Sequence, residues 1–176
     1  MEKQVTNEII YKGRILELHR DEVLLDDNTT SIREVVKHHG GACIALKNKD
    51  GKYYMVRQYR YSLGMELLEF CAGKLNENEN PKDAIIRETS EELGYTINNL
   101  HDLGYIIPTC GYSSEKIYLY YGEEGDYVGT NYDVDERIDK ELYTLKEIKE
   151  MIKDGRINDA KTIAIVYKME LMGIDE

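Results

Sequence analysis

Apolar and polar residues alternate along residues 8–37, and this period of two is typical of β-strands. The turn signal Asp26-Asp27-Asn28 separates two such runs. The pattern predicts an antiparallel N-terminal sheet of about three strands. Because Gly40-Gly41 then breaks the pattern, we expect an N-terminal sheet domain, 1–40, and a second domain, 41–176.

The second domain mixes short strand patterns with helical ones. Strands are predicted over 42–46, 53–59, 66–72, 100–107 and 116–121, a glycine-rich acidic loop over 122–133, and helices over 81–93, 144–154 and 159–171. A mixed sheet flanked by helices accounts for this order. The predicted fold class is therefore α+β, with an α/β/α sandwich around a mixed sheet.

The helix predicted over 81–93 carries its own boundary signals. Asn80 is a favourable N-cap, and Pro81 suits the first helical position. Asp83 places negative charge in the first turn, where the helix dipole favours it. Gly94 suits a left-handed residue just after the helix. The helix is therefore expected to follow a loop over 73–80.

Three carboxylates are predicted to share one face of this helix, because Glu88, Glu91 and Glu92 are spaced i, i+3 and i+4. Crowded hard oxygen ligands suit Mg²⁺ or Mn²⁺. Arg87 is placed to orient Glu91 by a bidentate bond. An opposite stripe is expected to pack on the sheet, and it consists of Ile85, Ile86, Thr89 and Leu93. We also expect the Thr89 hydroxyl to bond the carbonyl four residues earlier.

Residues 73–95 match a known pattern, Gly-x5-Glu-x7-Arg-Glu-U-x-Glu-Glu-x-Gly-U, in which U is aliphatic. All seven fixed positions are present, and Thr89 replaces the first aliphatic one. The pattern is the Nudix box, and the sequence resembles the Nudix hydrolases. An acidic solvated helix face is the alternative, but it does not explain the fixed positions outside the glutamates.

The resemblance is to the ADP-ribose pyrophosphatase branch of that family. Four further segments resemble motifs of that branch: Arg57-Gln58-Tyr59-Arg60, Glu69-Phe70-Cys71-Ala72-Gly73, Gly111-Tyr112-Ser113-Ser114-Glu115 and Gly155-Arg156-Ile157-Asn158-Asp159-Ala160-Lys161-Thr162. Two prolines of the branch are replaced, by Cys71 and Cys110. The departure at Cys110 leaves nucleoside diphosphate sugars other than ADP-ribose open.

The resemblance implies a metal site and a catalytic group. The metal ligands would be the carbonyl of Ala72 and the side chains of Glu88, Glu91 and Glu92, with Mg²⁺, or alternatively Mn²⁺, as the ion. Glu115 would act as general base or position the attacking water, against the alternative of an exposed loop acid. Glu91 or Glu92 is the alternative base, and Arg87 would assist catalysis.

The resemblance also implies substrate contacts and a dimer. Gly73 would lie at the substrate, and Arg60 would clamp a phosphate, against the alternative of a strand-end ion pair. Arg57 is a weaker candidate for the same role. The N-terminal sheet would form a domain-swapped homodimer, in which Arg33 and Glu34 reach the partner's nucleotide base.

Charge and composition exclude other classes. The chain has 23 basic and 34 acidic residues, a net charge of −11, which disfavours nucleic acids and anionic membranes as partners. No apolar run is long enough for a membrane span, and the charged N-terminus is unlike a signal peptide. A cytoplasmic protein is expected. Asp135 and Glu136 are expected to be solvated, with a third metal contact as the alternative.

These features predict metal-dependent hydrolysis of the pyrophosphate bond of ADP-ribose or a related nucleoside diphosphate sugar, giving a nucleoside monophosphate and a sugar phosphate. Three alternatives stay open: a GDP-mannose-type hydrolase, a non-catalytic Nudix domain that binds a nucleotide sugar, and a MutT-like triphosphatase. The complete set of box glutamates disfavours the second alternative. The N-terminal sheet disfavours the third.

Overall fold

The computed structural model describes residues 1–132 and 138–175, so Asp135 and Glu136 lie outside the described residues. The strands are β1 (Lys3–Gln4), β2 (Glu8–Lys12), β3 (Leu16–Leu24), β4 (Thr30–His38), β5 (Gly41–Lys47), β6 (Tyr53–Arg60), β7 (Met65–Glu69), β8 (Cys71–Lys74), β9 (Tyr95–Ile106), β10 (Ile117–Tyr127) and β11 (Ile138–Tyr143). The helices are α1 (Pro81–Glu88), α2 (Leu145–Lys153) and α3 (Ala160–Leu171), and a π-helical turn, Thr89–Leu93, follows α1.

The first of two compact units contains residues 1–40 together with residues 107–116, which we call the Glu115 loop. Its centre is β3, which pairs antiparallel with β1, β2 and β4. The sheet thus has four strands and not about three, because the two residues of β1 are too few to show an alternating pattern. The predicted boundary between 1–40 and 41–176 stays a prediction.

The second unit contains residues 41–106 and the described part of 117–176. Its sheet has the strand order β11-β6-β5-β10-β9, with β7 pairing on β6 and β8 on β5. The pair β10–β5 is parallel, and the other pairs are antiparallel. A mixed sheet was predicted, and the pairing confirms it.

Helices cover both faces of this sheet, so its strand β5 is buried on both sides. Cys43 and Ala45 belong to a core with residues of α2 and α3, such as Ile148 and Ile165. The alternate residues of β5 belong to a second core, which Ile85 of α1 joins. The predicted α/β/α sandwich is therefore confirmed.

Two details differ from the predictions. Residues 122–127 continue β10 as a strand instead of beginning a loop. Gly125 permits this, because a Cβ there would overlap the Thr96 hydroxyl of the adjacent β9, where the strand register shifts. Ile86 is 42% exposed, so it does not belong to the buried stripe of its helix.

No helix in the described part of the chain is both long and apolar enough to cross a membrane.

Candidate active site

The box helix begins and ends as its sequence predicts. The Asn80 side chain accepts a hydrogen bond from the backbone N–H of Lys82 at 2.9 Å, which satisfies one of the free donors of the first turn. Gly94 ends the segment with a φ of 84°. The regular helix stops earlier than predicted, however, and the last turn is π-helical. The Thr89 hydroxyl donates to the Ile85 carbonyl at 2.7 Å, which confirms the predicted bond.

Arg87 is the centre of the polar network on this helix. Its Nε and Nη2 donate to the two carboxylate oxygens of Glu79 at 3.0 and 3.1 Å. Its Nη1 donates to Glu88 at 2.8 Å and to Glu91 at 3.0 Å. The bidentate partner is therefore Glu79 and not Glu91, because the loop before the helix brings Glu79 to the fork of the guanidinium. Arg87 offsets the repulsion among three carboxylates.

The same network shifts two pKa values. The bond from Arg87 lowers the pKa of Glu79, and a backbone bond from Asn76 lowers it further. The bond to Glu79 is also the largest cause that raises the pKa of Arg87. Glu79 thus ties the preceding loop to the helix, and it stays ionised at neutral pH.

Replacing Arg87 by Ala is expected to lower the free energy of unfolding by about 2 kcal/mol at neutral pH, because charge-assisted hydrogen bonds are lost. The pKa of Glu79 is depressed in the folded protein, so this stabilisation is complete above the ordinary glutamate pKa of about 4.3. It is lost as the pH falls through the lower folded value. Thermal unfolding of both proteins in EDTA should show their Tm gap narrowing below about pH 4.

The matched control is Arg20→Ala, because Arg20 forms an exposed ion pair with Glu8. Its effect on Tm should be small at every pH. A Tm gap between wild type and Arg87→Ala that stays constant from neutral to acid pH contradicts the role of Glu79.

Gly73 makes room for one of the box carboxylates. It lies on β8 opposite Ala42, and an added Cβ would overlap the Cγ, Cδ and Oε1 atoms of Glu88. The Glu88 side chain is 13% exposed and lies directly over the Gly73 backbone. The neighbouring Ala72, the predicted carbonyl ligand, pairs with Cys43 on the same two strands. Gly73, Ala72 and Glu88 are thus brought together.

Glu92 is buried, with only 3% of its surface exposed. The Cys71 thiol lies in contact with it, and burial together with the Glu92 charge raises the pKa of this thiol. Glu91 in contrast is half-exposed, with 36% of its side chain accessible. The three glutamates therefore occupy three different environments, although they share one short segment.

The donor atoms fit a divalent metal ion in chemical type. Glu88, Glu91, Glu92 and the Ala72 carbonyl offer only hard oxygens, which Mg²⁺ and Mn²⁺ prefer. Among the described residues, however, no three His, Cys, Asp or Glu side chains are gathered closely enough to hold a metal ion. Glu88 and Glu91 each use one carboxylate oxygen toward Arg87, and holding an ion would require these side chains to move closer together. The ligand set stays a prediction.

The two arginines of β6 both form ion pairs. Arg57 Nε donates to Glu141 on β11 at 2.6 Å, and Arg60 Nε donates to Glu69 at 2.7 Å. Burial acts to lower the pKa of Arg60, but Glu69 offsets this and the net shift is upward. Glu92 adds to the upward shift, so Arg60 lies within electrostatic reach of the box carboxylates.

The partner of Arg60 is part of a buried network that sequence analysis did not assign. Glu69 is 1% exposed and also pairs with Lys161, which in turn pairs with Asp159 at 2.8 Å. Asp159 accepts from the backbone of Thr162 at 2.9 Å and so caps α3. The available signal was one acidic residue, Glu69, within the apolar run of residues 67–72.

Three predicted site residues belong to the first unit. Arg33 Nε donates to Glu2 at 3.0 Å, and Glu34 is exposed on the same strand, β4. Oε1 of Glu115 lies 3.5 Å from the ring nitrogen Nδ1 of His38. Their roles toward a substrate stay predictions.

Comparison with known proteins identifies the family to which the chain belongs. The family model described as NUDIX domain matches residues 37–164. The chain is 35% identical over 172 residues to a methanol dehydrogenase activator of Bacillus methanolicus and 30% identical over 172 residues to an ADP-ribose pyrophosphatase of Bacillus subtilis (strain 168). Each alignment covers 97% of this chain and 93% of the relative. It is also 35% identical over 168 residues to a GDP-mannose pyrophosphatase of Yersinia enterocolitica, covering 86% and 85% of the two chains.

A solved structure described as an ADP compounds hydrolase has a similar fold. The TM-score is 0.83 at 16% sequence identity, and the match covers 98% of this chain and 96% of that chain. This likeness confirms the predicted fold class over nearly the whole chain. The box, the family match and the relatives agree, and this protein belongs to the Nudix hydrolase family.

Proposed function

We propose that this protein hydrolyses the pyrophosphate bond of ADP-ribose or of a related nucleoside diphosphate sugar. The observation that carries the proposal is the complete box network. Arg87 gathers Glu79, Glu88 and Glu91, while Gly73 leaves space for the Glu88 carboxylate. A purely structural helix has no need of this concentration of carboxylates, since they repel each other and three of them share the one guanidinium of Arg87.

The relatives support the choice of substrate class. One relative with 30% identity is named ADP-ribose pyrophosphatase, and one with 35% identity is named GDP-mannose pyrophosphatase. Both names describe cleavage between two phosphates of a nucleotide sugar. ADP-ribose is our first choice, because four segments of this chain resemble motifs of the ADP-ribose branch. GDP-mannose is the second candidate.

Nudix hydrolases generally need divalent metal ions, and we propose Mg²⁺ here, with Mn²⁺ as the alternative. Glu88, Glu91, Glu92 and the Ala72 carbonyl would hold the metal. When bound, it would neutralise the anionic pyrophosphate and make phosphorus more open to attack. Arg60 would bind a phosphate oxygen through its remaining N–H groups while Glu69 holds its Nε, and Arg57 would assist it.

The proton is taken up by a carboxylate of this chain. Water attacks one phosphorus in line with the bridging oxygen, and a carboxylate oxygen of Glu115 accepts the water proton. The bond from that phosphorus to the bridging oxygen breaks, and the bridging oxygen leaves with the other phosphate. For ADP-ribose the products are AMP and ribose 5-phosphate. Glu91 and Glu92 are the alternative bases.

Turnover of a nucleotide panel by the purified protein, with Mg²⁺ or with EDTA, tests the proposal. The panel contains ADP-ribose, GDP-mannose, UDP-glucose and 8-oxo-dGTP. We expect Mg²⁺-dependent release of AMP and ribose 5-phosphate from ADP-ribose. Preference for GDP-mannose would support the proposed pyrophosphate hydrolysis but replace ADP-ribose as the substrate. Release of pyrophosphate from 8-oxo-dGTP would favour a triphosphatase, and binding without turnover would favour a sensor.

The N-terminal sheet supports a homodimer. Its strands and turns expose large apolar side chains, namely Val5, Ile9, Ile10, Tyr11, Ile15 and Ile32. An exposed apolar patch of this kind is typical of an interaction site. We propose that two copies associate through this sheet. Their association would bring Arg33 and Glu34 to the partner's nucleotide base. We also propose that the protein acts in the cytoplasm. The molar mass in solution tests the dimer.

A further inference from the structure

A histidine outside the Nudix box lies against the glutamate proposed as proton acceptor. His38 is the last residue of β4, and its ring Nδ1 is 3.5 Å from Oε1 of Glu115. The His38 side chain is 14% exposed and that of Glu115 is 29% exposed, so the contact is largely shielded from water. The neighbouring His39 is exposed. Both His38 and Glu115 belong to the first unit.

The backbone fixes the Glu115 loop to the end of β4. The N–H of Val36 donates to the Tyr112 carbonyl at 2.8 Å, and the N–H of Ser114 donates back to the Val36 carbonyl at 2.9 Å. The N–H of His38 donates to the Ser114 hydroxyl at 3.1 Å. The N–H of Glu115 also donates to the Ser113 hydroxyl at 3.1 Å, so the backbone of the loop is ordered up to Glu115. None of these bonds involves the Glu115 carboxylate.

Gly40 fixes the orientation of the His38 ring. The N–H of Gly40 donates to His38 Nδ1 at 2.9 Å, so this nitrogen is an acceptor and a neutral ring carries its proton on Nε2. Gly40 has a φ of +99°, and a Cβ on it would lie 2.7 Å from the Lys116 carbonyl oxygen. A glycine is therefore required both for the turn and for the close approach of the residue after Glu115.

We propose that His38 is a positioning residue for Glu115. Its ring, held by the Gly40 N–H, limits where the Glu115 carboxylate can lie. Because Nδ1 accepts from Gly40, it donates no hydrogen bond to Glu115. The ring therefore acts by filling the space beside the carboxylate, and it leaves the carboxylate oxygens available to accept a proton. This inference rests on the proposed function, in which Glu115 takes the proton from the attacking water.

Kinetics of His38→Ala on ADP-ribose test the inference. We expect kcat to fall about tenfold or more, because small misplacement of a catalytic group is costly, while KM changes less than about twofold. His38→Asn should recover much of kcat, since its Oδ1 replaces Nδ1 as acceptor for Gly40. The matched control is His39→Ala, which should behave as wild type.

A double-mutant cycle separates positioning from a general structural defect. If His38 acts through Glu115, His38→Ala should cause no further loss in a Glu115→Gln background. Additive losses would overturn the inference, as would full activity of Glu115→Gln. Unchanged kcat in His38→Ala, with Glu115→Gln impaired, would also overturn it.

Hydrogen exchange decides the inference independently of turnover. Amides of residues 107–116 should exchange faster in His38→Ala than in His39→Ala, because the largely buried His38 ring no longer packs against the end of the loop. Equal exchange in the two variants would overturn the inference. If the wild type hydrolyses no nucleotide in the panel, the proposed function fails, and the exchange result still decides whether His38 holds the Glu115 loop.

Discussion

Glu92→Gln is expected to reduce Mg²⁺-dependent turnover of ADP-ribose by about 10³-fold or more, the loss typical of removing a metal ligand or general base. Glu92 is 3% exposed, so its charge acts in a shielded environment where electrostatic interactions are strong. The amide keeps the shape of the side chain but not the charge. Turnover at saturating substrate, and calorimetric binding of Mg²⁺ alone, measure the effect.

The structure offers a matched control in the same segment. Glu77 is an exposed residue of the loop before the box helix, and Glu77→Gln removes the same charge from the protein. It should leave turnover and Mg²⁺ binding unchanged. We expect Glu92→Gln to fold normally, since removing one of several crowded carboxylates reduces repulsion. If Glu92→Gln keeps at least half of the wild-type turnover, Glu92 is neither a metal ligand nor the general base.

Gly73→Ala is expected to reduce turnover by about 10²-fold, because its new methyl group would take the space of the Glu88 carboxylate. The side chain of Glu88 or the β8 backbone must then move, and overpacking of this kind costs about 1–3 kcal/mol of stability. Turnover and chemical denaturation measure the two effects separately. Mg²⁺ binding should weaken together with turnover.

Gly111→Ala is the matched control for the added methyl group. A Cβ on Gly111 would meet no atom within 4 Å, and Gly111 lacks the positive φ that strains other residues. Its stability should equal that of wild type. A Gly73→Ala protein that keeps wild-type turnover would show that Glu88 need not lie over this glycine during the reaction.

The box helix shows how far a local pattern determines structure. Asn80, Pro81 and Gly94 set its two ends, because caps and left-handed glycines act through neighbouring backbone groups. The helical period did not reveal the π-helical turn over Thr89–Leu93. It also placed Ile86 in the buried stripe, although Ile86 is exposed. Burial depends on what packs against each side of the helix, which its sequence does not contain.

The β10 strand shows a second kind of difference. Its glycines resemble a loop signal, and the sequence predicted a loop from residue 122. In the structure Gly122 and Gly125 lie where β9 approaches closely, and added side chains would contact Ile97 and Thr96. A glycine in a strand and a glycine in a loop look the same in one sequence, since only the neighbouring strand distinguishes them.

The sequence by itself determined the family, the box, the helix ends and the sandwich architecture, because these depend on residue spacing and on neighbours along the chain. Only the tertiary structure decided which groups pair: Glu79 with Arg87, Glu69 with Arg60 and Lys161, and His38 with Glu115. Glu69 and Lys161, for example, are 92 residues apart in sequence, and folding alone brings such groups within bonding distance. Ion pairs between residues so far apart leave no periodic pattern in the sequence, since each partner lies on a different strand, helix or loop.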